Sequence, residues 1–224
     1  MRCRLRLPVL TVPLLTLLLS CANPPAEEAR LASEAHAALD RGDLTQANTL
    51  AEAAIEAMNG NTYEVNPARG EALFVLGALS AGKGDVQRAG LLLTEATHFA
   101  PKLLPAWVML AGIQRDLGHD HEAVLSYEQA VWMDPHNAVY RAALCWAHVD
   151  LKHDEPMIAS CTMAASEGPQ NPDALGGYAA ALIRSGREAE AAEPLAALNG
   201  MLPELRDPVL ADVERARRGE RTGR

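Results

Sequence analysis

The sequence predicts an all-α chain built as a stack of helical hairpins and closed by one further helix. Three observations carry that prediction. Pro101, Pro135, Pro169 and Pro203 recur at a spacing of 34 residues, Gly84, Gly118 and Gly186 fall on the same grid, and so do Ala89, Ala123 and Ala191 with Ala96, Ala130 and Ala164. A fixed period of this length marks a repeat architecture. Each residue type has a physical role in the unit. The glycine ends the first helix, and the proline stands past the second helix, which it cannot continue. The alanines let two antiparallel helices approach closely. Apolar residues at i, i+3 and i+7 give each helix one buried stripe. A single hairpin cannot cover that stripe, so neighbouring units must stack.

The N-terminal residues 1–20 read as an address. Arg2, Arg4 and Arg6 precede an uncharged apolar run from Leu7 to Leu19, a pattern suited to a secretory signal and too short for a spanning helix. Its end, Leu18-Leu19-Ser20-Cys21, resembles a bacterial lipobox, with Leu19 departing from the usual small or β-branched residue. The resemblance implies cleavage before Cys21 and acylation of that cysteine; Ala22, in place of aspartate, matches the enterobacterial pattern for the outer membrane. Cleavage after Ser20-Cys21-Ala22 without lipid is the competing reading. Residues 21–27 form a short tether stiffened by Pro24-Pro25. The five residues from Ala22 to Ala26 reach about 17 Å when extended, which keeps the body near the membrane surface.

The units that follow span 28–61, 70–103, 104–137, 138–171 and 172–205, together making a solenoid over 28–205. Thr62–Arg69 is an insertion that reads as a longer loop or a longer second helix. The third unit is the clearest: Trp107, Leu110 and Ala111 in helix A, Gly118 at the turn, Ala123, Tyr127 and Ala130 in helix B, and Asp134-Pro135 at the end. These positions resemble the tetratricopeptide repeat, with Gln114 where a tyrosine is usual. The resemblance implies a right-handed superhelical solenoid of five helix-turn-helix units. The fourth unit is degenerate, with Lys152, Met157 and Cys161 in place of glycine, alanine and an aromatic. Residues 206–218 read as a capping helix, Asp207–Arg218, with Pro208 in its first turn. Residues 219–224 read as a frayed, solvated tail.

The chain has 224 residues with a formal net charge of −9. Loss of residues 1–20 removes three arginines and no acid, which makes the body more acidic still. An acidic surface excludes nucleic-acid binding, which needs cations to neutralise phosphates. A nucleophile elbow, a phosphate loop and an HExxH motif are absent from the sequence. No enzyme activity, cofactor, metal site or small-molecule substrate is therefore expected. Asp116, His119, Asp120 and His121 cluster at one turn; a metal hydrolase built there is a remote alternative, and a solvated polar turn is the simpler reading.

Cys145 and Cys161 stand at repeat positions 8 and 24, which face each other across a hairpin. A disulfide and two packed free thiols both fit that placement. The family resemblance implies a partner groove lined by helix A positions 2, 5, 9, 12 and 13. Carried onto this chain, it names Phe74, Val108, Arg115, Trp146, Val149, Ile183 and Arg184, large apolar and cationic groups suited to an apolar or amphipathic protein segment. The Lys and Asn set of the carboxylate clamp is missing there. The combination of a lipobox with a short array resembles the pilotin-like lipoproteins of type IV pilus secretins. It implies a periplasm-facing outer-membrane protein that assists assembly of an envelope complex. A general scaffold for peptidoglycan or lipoprotein machinery is the alternative.

Overall fold

A computed structural model describes residues 27–58, 65–152 and 154–223. Residues 1–20, Cys21 and the tether as far as Ala26 lie outside the described residues, as does the first part of the Thr62–Arg69 insertion. All regular secondary structure among the described residues is helical. The elements are α1 (Glu27–Asp40), α2 (Leu44–Ala57), α3 (Pro67–Gly82), α4 (Val86–Phe99), α5 (Leu104–Asp116), α6 (Asp120–Met133), α7 (Ala138–Leu151), α8 (Asp154–Glu167), α9 (Pro172–Arg184), α10 (Ala192–Asn199) and α11 (Pro203–Arg217).

The hairpins are set by local chemistry. Gly42, Gly84, Gly118 and Gly186 all have φ between 74° and 79°, the left-handed conformation that glycine adopts without a Cβ clash. At the third turn the Gly118 N–H donates to the Arg115 carbonyl at 2.9 Å and the His119 N–H donates to Gln114 at 2.8 Å. This pair of bonds is a Schellman closure, which satisfies carbonyls orphaned at the helix end. In the fourth unit Lys152 occupies the same left-handed position with φ 59°. Helix starts are capped in kind: Asp43 and Asp85 accept from Gln46 and Arg88 N–H groups, and Asn137 and Asn171 cap α7 and α9.

Two findings differ from the sequence expectation. Asn66 caps α3 and Pro67 is its first residue, so the last residues of the Thr62–Arg69 insertion lengthen helix A of the second unit. At the other end α11 begins at Pro203, and Pro208 lies inside the helix. Proline is tolerated in a first turn because its missing N–H would have no partner there. Pro203 takes that role, leaving Pro208 further along.

The odd-numbered helices form one layer, with α1 on α3 and α7 on α9; α2, α4, α6 and α8 each pack on the odd helix before and the odd helix after. Two large apolar clusters result. One runs from α1 to α5 around Phe74, Leu79, Leu93 and Phe99. The other runs from α7 to α11 around Trp146, Met157, Leu198 and Val209. A small cluster of Ala111, Val124, Tyr127, Leu144 and Ala147 joins them. The helix after the last unit covers its apolar side: α11 packs on α9. A Cβ on Gly176 would lie 2.1 Å from Val209 Cγ1, so glycine is what permits that approach. The odd helices α5 and α7, by contrast, barely touch. That opening positions the site described next.

Candidate interaction site on the odd-helix face

The side chains expected to line a groove do not all reach solvent. Phe74 is buried between α1 and α3, with the His36 ring 5.2 Å away. His36 in turn meets Glu71 at 2.9 Å. Val149 is fully buried, and Trp146 is 1% exposed, with its indole N–H donating to the Asp173 carbonyl at 2.9 Å. Gly176 and Gly177 lie directly beneath that indole. Phe74 at position 5, Trp146 at position 9 and Val149 at position 12 therefore fill the seams between adjacent odd helices. The reading of Phe74, Trp146 and Val149 as exposed groove contacts is corrected on this physical ground, and so is that of Arg115, which is buried against Asp150. Val108, Ile183 and Arg184 remain half-exposed, and Val139 is 64% exposed. Trp132 projects into solvent from helix B of the third unit.

Cys145 and Cys161 are joined as a disulfide between α7 and α8. The fourth hairpin is thus covalently closed at positions 8 and 24. The turn with Asp116, His119, Asp120 and His121 shows no convergence of ligands; among the described residues no group of three or more His, Cys, Asp or Glu side chains is placed to hold a metal. Its Asp120 carboxylate instead receives the Arg221 guanidinium at 2.5 Å.

The charged groups that do converge come from the last turns of three successive odd helices. Arg115 ends α5, Asp150 ends α7 and Arg184 ends α9. Arg115 Nη2 meets Asp150 Oδ2 at 2.6 Å, and the Asp150 side chain has no exposed surface. Arg184 Nη1 donates to the Val149 carbonyl at 2.8 Å. Cations suit helix C-termini, where unsatisfied carbonyls concentrate partial negative charge. A carboxylate does not, and Asp150 is held there by its donors. Burial pulls the Arg184 guanidinium pKa down, and the Asp150 charge opposes that. Burial likewise raises the Tyr127 phenol, with Arg115 pulling it back and Asp116 pushing it up. A cleft of about 140 Å³ opens beside this cluster, lined by Tyr127, Val139, Ala142 and Trp146 among others.

Residues 219–223 are held against the array, with Thr222 buried and its neighbours exposed. Gly219, with φ 74°, turns the chain after α11, and the segment then lies across the Arg115–Asp150–Arg184 row. The Thr222 N–H donates to Asp150 Oδ1 at 2.8 Å and its hydroxyl bonds Asp150 Oδ2 at 3.1 Å. The reading of this segment as frayed is overturned by these bonds. Arg115 and Arg184 were identifiable from their repeat positions. Thr222 and Asp212 were not, since nothing periodic links a segment beyond the repeats to residues in α5, α7 and α11.

A tetratricopeptide repeat family model matches residues 79–198, more than half of the chain. The chain belongs to the tetratricopeptide repeat family. Solved tetratricopeptide-like arrays share its fold. MamA AMB-1 is 20% identical with a TM-score of 0.63, covering 80% of this chain and 95% of that one. YrrB, described as a TPR protein with an unusual peptide-binding site, is 14% identical with a TM-score of 0.66, covering 84% and 89%. MamA 41-end from Desulfovibrio magneticus RS-1 is 19% identical with a TM-score of 0.61, covering 76% and 92%. At these identities the likeness is one of fold. No curated protein matches the sequence. Among the described residues no helix is long and apolar enough to cross a bilayer.

Proposed function

We propose that the protein is a lipid-anchored adaptor on the periplasmic side of the outer membrane. It binds an extended segment of a protein partner on its odd-helix face and assists assembly of an envelope complex. One observation carries the binding role: the odd-helix layer is loosest around α5, and the cleft on its α7 side has exposed Val139 at its rim and small Ala142 and Ala143 in its wall. An apolar rim over small residues accepts an amphipathic peptide side chain. YrrB supports the reading as a tetratricopeptide protein of the same fold whose description includes a peptide-binding site.

The anchor rests on the Leu18-Leu19-Ser20-Cys21 motif. The Cys145–Cys161 disulfide agrees with it, because such bonds persist in exported proteins and are rare in a reducing cytosol. With Cys21 acylated, the protein would sit within a short tether of the membrane. A type IV pilus secretin is the client that this architecture resembles.

The test is capture from solubilised envelopes, comparing wild type with Val139→Glu. Val139 is exposed, so the charge is placed at the cleft without disturbing the core. Loss of a co-purifying envelope protein, with an unchanged melting curve, supports the adaptor. Retention of every partner moves the binding surface elsewhere. Incorporation of labelled palmitate into wild type and not into Cys21→Ala tests the anchor separately.

A further inference from the structure

Residues 220–223 each bond the solenoid through a different group. The Glu220 carbonyl accepts from Arg184 Nη2. The Arg221 guanidinium donates to the Arg115 carbonyl and to Asp120. Thr222 gives both its N–H and its hydroxyl to the two oxygens of Asp150, with Arg115 Nη2 3.3 Å from the same hydroxyl. The Gly223 N–H donates to Asp212 Oδ1 at 2.8 Å. Thr222 is 8% exposed and Asp212 is 5% exposed. This is how a receptor holds a peptide: main-chain groups give register, and one buried carboxylate reads a side chain.

We propose that Arg115, Asp120, Asp150 and Asp212 together form a peptide-recognition site for an Arg-Thr-Gly or Arg-Ser-Gly sequence. The chain's own segment 220–223 occupies it in cis, and a partner carrying that sequence displaces it. The inference rests on the adaptor reading and names its specificity. Each position of the sequence has a structural reason. The cation is read by Asp120 and a backbone carbonyl. The hydroxyl is read by Asp150, which is buried and would lose two of its three donors if the segment left without replacement; a buried carboxylate short of donors is costly. Glycine fits the last position without adjustment, whereas a Cβ on residue 223 would lie 2.8 Å from Arg215 Nη1, the movable end of a flexible side chain, and 3.3 Å from Asp212 Oδ1. A segment tethered this closely has an effective concentration of about millimolar, enough to mask the site from a free peptide of moderate affinity.

The experiment uses the full chain and a fluorescein-labelled peptide, acetylated and amidated, of sequence Glu-Arg-Thr-Gly. Arg221→Ala/Thr222→Pro removes the cation, the N–H and the hydroxyl together, which releases the segment. The expected result in fluorescence anisotropy is binding to the double variant about tenfold tighter or more than to wild type. The Thr→Val peptide binds weakly, and adding Asp150→Asn to the double variant abolishes binding. Circular dichroism and melting curves are recorded for each variant. Absence of peptide binding to a folded double variant overturns the proposal and makes the segment a structural strap. Equal binding to wild type and double variant also overturns it, since the cis segment would then not compete. Either failure, combined with loss of the envelope partner in Val139→Glu, leaves the adaptor reading standing without this specificity.

Discussion

Units three (104–137) and four (138–171) are neighbours of equal length that solve the same packing problem with different chemistry. In unit three Tyr127 of helix B packs in one cluster with Ala111 of helix A. In unit four those two positions are Cys161 and Cys145, and a covalent bond replaces the ring. Trp107 of unit three donates its indole N–H to the Pro101 carbonyl at 2.9 Å; Arg141, 34 residues on, donates its Nε to the Pro135 carbonyl at 2.7 Å. The turn of unit three has Gly118, and that of unit four has Lys152 in the same left-handed conformation. What repeats is a set of geometric roles. A close approach, a donor to the preceding proline carbonyl and a positive φ must each be supplied, and several residue types can supply them.

The largest effects should come from the parts of unit four that have no counterpart in unit three. Trp146→Ala empties a fully packed site between α7 and α9 and takes away a hydrogen bond, at a cost of about 3–5 kcal/mol. Trp132→Ala, at a side chain 76% exposed in unit three, should change the melting temperature little. A similar loss in both would contradict the packing described. Next is the disulfide. Its cysteines are 16 residues apart, and loss of such a bond, by reduction or by Cys145→Ser/Cys161→Ser, should cost about 3 kcal/mol in the chain-entropy model. Denaturant melts with and without reductant measure it. Insensitivity to reductant would mean that packing, and not the bond, closes unit four.

Gly177→Ala probes how tightly unit four meets unit five. A Cβ there would lie 2.4 Å from Cys145 Sγ and 3.4 Å from Trp146 Nε1. Overpacking of this kind typically costs about 1–3 kcal/mol. Gly112→Ala is the control in unit three, where the nearest atom to a new Cβ is the Tyr127 hydroxyl at 4.0 Å; it should be tolerated.

These contrasts show what the sequence could and could not convey. The 34-residue grid places Gly118 and Gly186 at turns and Pro101 and Pro135 past helix ends, because those roles are local and depend on backbone conformation alone. Positions 5 and 9 are different. Phe74 and Trp146 look like groove residues when each helix is read by itself. Whether they face solvent depends on how closely the adjacent odd helix approaches, which for Trp146 small residues such as Gly176 decide from 30 residues away. The Arg115–Asp150 pair was half visible, as charges near the ends of successive helices. The 219–223 segment was hidden, since its bonds to Asp150 and Arg115 join residues 72 and 106 apart with no pattern between them.

The smallest predicted effects are the sharpest test of role against residue, because they should have opposite signs. Gly118→Ala forces a Cβ into a left-handed turn at φ 79°, which costs about 1–2 kcal/mol. Lys152→Gly does the reverse at φ 59°. It relieves a similar strain in the folded state, while the greater freedom of glycine in the unfolded chain takes some of that back. The net expectation is stabilisation of at most about 1 kcal/mol, read as a small rise in melting temperature. The left-handed turn is the same in both units, so the sign should follow the residue and not the unit. If Lys152→Gly instead destabilises, the lysine side chain contributes more to unit four than its turn costs, and the fourth repeat is held by a contact absent from the other four left-handed turns between paired helices.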